Sequence, residues 1–272
     1  SMSYGALKNS TVLNDFKFQG GNRMNIDRIE RTAQYFHDAH RTGKHFAPTP
    51  EEYRPRNLQE AYAAQDRYVE LSSTSSPPIA GYKIAVTSQV IQELVGISHP
   101  CLGMIRSGSV QTSPANLLES AFQHVAIECE IAFTLKSNLE GIQDKQDRES
   151  VTTLIESCHP AFEILDDRHA DYSKMDALSL IADNCWCAGV VLGPAITDWQ
   201  SLALDELTGT LQINGKTVGQ GVTRDALGHP LEGLAWIANT LAQQGKKLEA
   251  GMIVITGSII ATEFLSGGDA AV

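Results

Sequence analysis

The sequence has 272 residues, of which 42% are hydrophobic and 7% aromatic, and its formal net charge is −11. This apolar content is typical of a globular protein and excludes a largely disordered chain. The acidic excess lies in residues 77–272, which carry 11 basic and 23 acidic groups. It argues against a nucleic-acid partner, because phosphate binding depends on clustered Lys and Arg. No stretch approaches the ~20 apolar residues of a membrane span, so no membrane partner is expected.

The first third of the chain is predicted to be helical. Residues 3–23 are polar, and we interpret them as a loosely docked arm. From Ile26 to Ala39, apolar residues recur every three or four positions, which predicts an amphipathic helix. Asn57 is followed by Glu60 three residues later, a capping-box pattern that predicts the start of a second helix.

A Ser-rich segment closed by two prolines, residues 72–78, is the strongest predicted boundary. It divides the chain into an N-terminal arm with helices (1–76) and a β-rich domain (77–272). In the second part strands and helices do not alternate regularly, which argues against a doubly wound parallel sheet and favours an α+β fold. The predicted strands cover 81–87, 127–135, 161–166, 187–192, 209–213 and 252–260, and the predicted helices cover 150–157 and 231–244.

The number and placement of the cysteines indicate whether the protein works in a reducing or an oxidising compartment. Their number is odd, and they are spread through apolar or mixed stretches, so a disulfide framework is not expected. This usage favours a reducing, cytoplasmic location. The five cysteines are Cys101, Cys129, Cys158, Cys185 and Cys187.

Two glutamates within the apolar run 125–133 form the most informative motif. On a strand, Glu128 and Glu130 lie on one face, and the apolar residues between them lie on the other. Like charges roughly 7 Å apart on one face are unfavourable unless the face is solvated or holds a cation. Glu163 lies among apolar residues in the next predicted strand. Three such carboxylates can bind Mg²⁺, although a solvated sheet face explains the same spacing.

Two further segments contain candidate polar residues. Lys83 shares a predicted strand face with Ala85 and Thr87, but a lone lysine on a strand is more often exposed than functional. Thr256 and Ser258 flank a glycine inside the apolar run 252–260. This segment can present hydroxyls and backbone N–H groups to an anionic ligand, or it can form a β-bulge.

Seven short motifs occur in the order found in one enzyme family, and this order is more specific than any single motif. They are GYKIAVTS (81–88), ECEIAF (128–133), PAFEILD (160–166), ADN (182–184), LGHPL (227–231), WIANTL (236–241) and VITGS (254–258). Residues 25–270 therefore resemble the 2-keto-4-pentenoate hydratase and 4-oxalocrotonate decarboxylase family, within the fumarylacetoacetate hydrolase superfamily.

The resemblance implies a small helical N-terminal part packed on a mixed β-roll or barrel-like core of the fumarylacetoacetate hydrolase C-terminal type. It also implies a homo-oligomer. The cofactor would be Mg²⁺ or Mn²⁺, bound by Glu128, Glu130 and Glu163 and chelated by a 2-oxo acid. Lys83 matches the family's acid/base lysine, and the segment of Thr256 and Ser258 matches a part that contacts substrate.

The implied function is that of a lyase, a metal-dependent hydratase that adds water to a 2-hydroxy-2,4-dienoate from aromatic-compound degradation. A related 2-oxo acid decarboxylase would use the same residues, because both reactions need a cation to stabilise an enolate. A third interpretation is an inactive, metal-binding homologue that stabilises a partner enzyme.

Two departures from the family pattern bear on activity. Cys101 and Ser107 stand where the family has acids, in a segment that resembles the part covering the active site. The neighbouring Arg106 would bind a second substrate carboxylate, unless it is simply exposed. The family's chain continues beyond the position of Val272 into a closing strand, which this sequence does not include.

Overall fold

The structure, a computed structural model, describes residues 23–139 and 144–272. The arm predicted for residues 3–23 lies outside the described residues except for its last position, Arg23. The helices are α1 (Arg23–Arg41), α2 (Leu58–Ser72), α3 (Gln89–Val95), α4 (Arg148–Val151), α5 (Ala177–Ala182) and α6 (Pro230–Gln243). The first strands are β1 (Ile79–Ala85), β2 (Cys101–Arg106), β3 (Val110–Thr112), β4 (Val125–Leu135) and β5 (Ile155–Asp166). The others are β6 (Cys187–Leu192), β7 (Thr208–Ile213), β8 (Lys216–Val222), β9 (Ile253–Ile255) and β10 (Glu263–Phe264).

One curled sheet forms the centre of the fold. Its strand order is β2-β1-β9-β4-β5-β6-β3, with β10 paired to β4, and β7 and β8 form a separate hairpin. The β1–β9 and β3–β6 pairs are parallel, whereas the other neighbouring pairs are antiparallel. The two ends of this order, β2 and β3, follow each other in the chain through the turn Ser107–Ser109. The sheet therefore curls into a half-barrel, which confirms the predicted α+β, barrel-like class.

The two faces of the curled sheet are packed differently. Its inner face carries a small apolar cluster that includes Ile105, Ala132 and Ile255. A larger core joins the N-terminal helices to the outer face, with Phe36 and Tyr68 in the same cluster as many sheet residues. The helical N-terminal part thus packs directly on the sheet. None of the described helices is long and apolar enough to cross a membrane.

Most predicted elements are present, although several have different ends; the strand predicted for 161–166, for example, begins at Ile155. Asn57 caps α2 by accepting a hydrogen bond from the Glu60 backbone N–H at 2.9 Å, as the capping pattern predicts. The prediction of a helix over 150–157 is wrong at its C-terminal end, because β5 begins at Ile155. Ile155 pairs with Leu135 of β4. The strand predicted for 252–260 ends at Ile255.

Close contact between β1 and β9 generates a stability prediction. A Cβ added to Gly81 would lie 1.7 Å from the backbone oxygen of Ile253, so Gly81→Ala must separate the two strands. We expect the free energy of unfolding to fall by about 1–3 kcal/mol, as measured by urea denaturation.

Gly108→Ala is the matched control, because its added Cβ would be 3.7 Å from Ser75 Oγ, an ordinary contact. It should change stability by less than about 0.5 kcal/mol. Equal losses in the two variants would show that the β1–β9 spacing is not the cause.

Candidate active site

The register of β4 and β5 brings the three predicted glutamates together. Glu128 and Glu163 are direct cross-strand partners, and Glu130 lies two residues further along the same face of β4. One carboxylate oxygen from each lies within 4.8 Å of those of the other two. Glu130 and Glu163 are buried, and Glu128 is half-buried. The cluster therefore lies inside the curled sheet, on the face that also carries Ala132 and Ala161.

Lys83 reaches this cluster from β1. Its Nζ is 2.6 Å from Glu163 Oε1, and the two side chains are only 2% and 0% exposed. Lys83 and Ala132 both pair with Ile255 of β9, which places the lysine in the row next to Glu130. Gly103, the partner of Lys83 in β2, leaves room for the alkyl chain, since a Cβ there would lie 2.9 Å from Lys83 Cγ. The general expectation of an exposed strand lysine is wrong here.

The charges in the cluster are not balanced. Burial, together with the charges of Glu163 and Glu128, raises the pKa of Glu130 well above its ordinary value. Burial and the charge of Glu163 likewise raise the pKa of Glu128 to about 7. Burial lowers the pKa of Lys83, but the charge of Glu163 and smaller contributions from other neighbours outweigh it, so this pKa is raised. One ammonium group therefore faces three carboxylates that repel one another.

Several carboxylate oxygens also lack hydrogen-bond donors. Glu130 Oε2 accepts from the Gly257 N–H at 2.8 Å, whereas the buried Oε1 has no partner. Glu163 Oε1 is close to Lys83, but at angles outside hydrogen-bond geometry, and the buried Glu163 Oε2 has no partner. Buried oxygens without donors are costly, and a cation would satisfy them. An all-oxygen donor set suits a hard divalent cation, so these residues fit Mg²⁺ or Mn²⁺.

The predicted hydroxyl segment contributes to the cluster through its backbone. Thr256 Oγ1 donates to the Ile131 carbonyl at 2.9 Å, and Ser258 Oγ donates to the Ile260 carbonyl at 2.5 Å. Both hydroxyls thus stabilise the chain between β9 and β10. Gly257, with a φ of +105°, is the residue whose N–H reaches a glutamate.

Sequence analysis missed one residue that contacts the cluster. The Thr262 hydroxyl donates a hydrogen bond to Glu128 Oε1. Thr262 lies outside every motif, and no pattern in the sequence indicates that β10 returns to pair with the start of β4.

Cys101 and Ser107, the residues at the two positions where the resemblance implies acids, lie in different surroundings. Cys101 is fully buried and is the cross-strand partner of Ala85 in β1. Ser107 Oγ donates to the Pro77 carbonyl at 2.7 Å and links the turn after β2 to the segment before β1. Arg106 lines a separate cavity, together with His40 and Trp186.

Residues 91–272 match the family model described as fumarylacetoacetate (FAA) hydrolase C-terminal. The match spans more than half of the chain, and this protein belongs to that family. The resemblance stated from the motifs is therefore confirmed.

The related proteins include both predicted activities. The chain is 31% identical over 243 residues to 2-hydroxyhexa-2,4-dienoate hydratase of Comamonas testosteroni, which covers 89% of this chain and 91% of that protein. It is 28% identical over 240 residues to 2-keto-4-pentenoate hydratase of Paraburkholderia xenovorans, covering 87% of each. A solved structure of 4-oxalocrotonate decarboxylase from Pseudomonas putida G7, complexed with magnesium and adipate, has 25% identity and a TM-score of 0.81. That comparison covers 90% of this chain and 92% of the other.

The carboxylate cluster predicts stabilisation by divalent cations. A cation that binds only the folded state should raise its stability by about 2.7 kcal/mol at a concentration of 100 Kd. We expect Mn²⁺ or Mg²⁺ to raise the melting temperature of the wild type and Glu130→Gln to lose this rise. In EDTA the same variant should be at least as stable as the wild type, because it removes a buried, repelled charge.

Glu156→Gln serves as the matched control, since Glu156 lies on β5 but is exposed. This variant should keep the full response to the cation. Calorimetric titration with Mn²⁺ provides an independent measurement, and a wild type that binds no Mn²⁺ would exclude the proposed metal site.

Proposed function

We propose that this protein is a metal-dependent hydratase that converts a 2-hydroxy-2,4-dienoate and water into a hydroxylated 2-oxo acid during aromatic-compound degradation. The observation that supports this most directly is the buried cluster of three glutamates joined to Lys83. It lies in the fold shared with the hydratase and decarboxylase relatives. The resident cation is proposed to be Mg²⁺, with Mn²⁺ as a substitute.

Each residue has a defined role in this proposal. Glu128, Glu130 and Glu163 would hold the cation, which supplies positive charge to the 2-oxygen and carboxylate of the substrate. Gly257 orients Glu130 through its N–H, and Thr262 orients Glu128 through its hydroxyl. These contacts leave Glu130 Oε1 and both oxygens of Glu163 as buried oxygens without a hydrogen-bond donor.

Lys83 is the proposed proton-transfer group. Its Nζ lies at the edge of the cluster, held by Glu163 in a pocket from which solvent is excluded. A dienoate bound there requires a proton to leave its 2-hydroxyl and a proton to reach its carbon chain. The Lys83 ammonium can donate the proton to the carbon chain, and the amine so formed can accept the proton that leaves the 2-hydroxyl.

A decarboxylase is the second candidate. It is favoured by the similarity of the whole fold to 4-oxalocrotonate decarboxylase, at a TM-score of 0.81. The same cluster would stabilise the enolate left after loss of CO₂. We further propose a homo-oligomer in a reducing cytoplasm; the five cysteines are unpaired in the structure.

The test is turnover of a panel of 2-hydroxydienoates and 2-oxo-enedioates with Mg²⁺. Loss of dienoate absorbance without CO₂ release identifies the hydratase, and CO₂ release identifies the decarboxylase. A wild type that binds the cation but converts no member of the panel would favour the inactive, partner-stabilising homologue.

Lys83→Met tests the role of the lysine. We expect turnover to fall by roughly 10²–10⁴-fold, while Mn²⁺ still binds, because the glutamates remain. Lys216→Met is the control, since Lys216 is exposed on β8. Normal turnover by Lys83→Met would assign the proton transfer to another group.

A further inference from the structure

The short strand β10 brings Thr262 to the carboxylate cluster. In the β4–β10 pair, Phe264 is the direct cross-strand partner of Ala126. Direct antiparallel partners lie on one face of a sheet, so Phe264 lies on the face of β4 that carries Glu128. Continuing this register by two residues places Thr262 opposite Glu128, and the Thr262 hydroxyl donates to Glu128 Oε1. This contact therefore depends on how firmly β10 is held against β4.

Backbone pairing holds only a short length of β10. The strand consists of Glu263 and Phe264, and the next backbone hydrogen bond joins the Leu265 N–H to the Val125 carbonyl at 3.0 Å. The Phe264 side chain is exposed. Short segments with exposed backbone hydrogen bonds open at a low cost in free energy. A side-chain contact that secures β10 therefore has more effect here than it would have in a long strand.

His124, the residue directly before β4, makes such a contact. Its ring stacks on the ring of Phe264, with the centroids 4.0 Å apart and the planes 15° apart. The ring of His169 also stacks on His124, at a centroid distance of 4.4 Å. Two rings stacked this closely on one imidazole must lie on its opposite faces. His124 is thus packed between β10 on one side and the segment after β5 on the other.

Asp167 fixes the orientation of this imidazole. Its Oδ1 accepts a hydrogen bond from His124 Nδ1 at 2.7 Å and another from the His169 backbone N–H at 3.0 Å. Its Oδ2 accepts from the Tyr172 hydroxyl at 2.7 Å. The Asp167 carboxylate is buried, so rotation of the His124 ring would leave a buried acceptor with one donor fewer. The stacked ring is for this reason a rigid support for Phe264.

We propose that His124, oriented by Asp167, is a positioning residue for Glu128: it holds β10 through Phe264 and so keeps the Thr262 hydroxyl on the Glu128 carboxylate. This inference rests on the proposed function, in which Glu128 binds the cation. Glu128 is the half-buried member of the three glutamates, and among the described residues Thr262 supplies its hydrogen-bond donor. Groups that orient a metal ligand in this way contribute to metal affinity without touching the metal.

The experiment measures the Kd of Mn²⁺ by calorimetric titration for the wild type, His124→Ala, Thr262→Val and the double variant. We expect each single substitution to raise Kd by about 10- to 100-fold. The double variant should stay within about threefold of Thr262→Val, because both substitutions remove the same support of Glu128. Effects that multiply in the double variant, or an unchanged Kd in His124→Ala, would overturn the inference.

His45→Ala is the matched control. The His45 ring lies 4.9 Å from that of His169, at the end of the same row of rings that is remote from β10, and its side chain is exposed. This variant should keep the wild-type Kd. His124→Phe keeps a ring that can stack on Phe264 but loses the hydrogen bond to Asp167, and it should give a Kd between those of the wild type and His124→Ala.

Amide hydrogen exchange in EDTA separates this inference from the proposed function. His124→Ala should accelerate exchange of the Leu265 amide, which donates to Val125. The Leu135 amide, which donates to the Met252 carbonyl at 2.9 Å at the other end of β4, should keep its rate. If the wild type bound no Mn²⁺, the proposed metal site would fail, and the exchange rates would still decide whether His124 holds β10. Equal Leu265 exchange in the wild type and His124→Ala would overturn the inference.

Discussion

The buried ion pair between Lys83 and Glu163 connects strands that are 80 residues apart in the sequence. Its two partners are almost inaccessible to water, so each charge depends on an opposite charge close by. For the pair to form, β9 must lie between β1 and β4, and β5 must lie on the far side of β4. The order of the central strands is thus directly coupled to the electrostatics of the site.

This arrangement lowers the stability of the folded protein. The cluster holds three carboxylates and one ammonium group in a region that is otherwise lined by apolar side chains such as Ala132, Ala161 and Ile255. Apolar residues at these positions would give a more stable sheet interior. In the proposed function a divalent cation would offset this cost, because it would satisfy the unpartnered oxygens and reduce the mutual repulsion. Cation binding and stability would then be linked through one set of residues.

Glycines allow the backbone and the lysine to approach one another. Gly81 permits the close β1–β9 contact, and Gly103 provides the space that the Lys83 alkyl chain occupies. Gly257 adopts a left-handed φ of +105° and directs its N–H towards Glu130. These glycines carry no side chain of their own, yet the space and backbone geometry they provide help to place Lys83 and Glu130 in the candidate site.

The sequence by itself determined the composition of the candidate site. Glutamates at alternate positions of an apolar run, a third one in the next run, and the family's order of motifs were enough to identify Glu128, Glu130 and Glu163, together with the α+β class. They were sufficient because side-chain alternation along a strand is a local property. The helix capped by Asn57 and the turn-bounded strands follow from local rules in the same way.

Only the tertiary structure decided which groups are buried and which meet. The general rarity of buried lysines favoured an exposed Lys83. The strand order β1-β9-β4-β5 instead places it beside Glu163. The hydroxyls of Thr256 and Ser258 bind backbone carbonyls, whereas Thr262, which no motif contains, reaches Glu128 through the return of β10. Arg106 lines a cavity with His40 and Trp186 because the two ends of the curled sheet approach each other at the turn after β2. These outcomes depend on contacts between residues distant in the chain, and strand periodicity carries no information about which strands become neighbours.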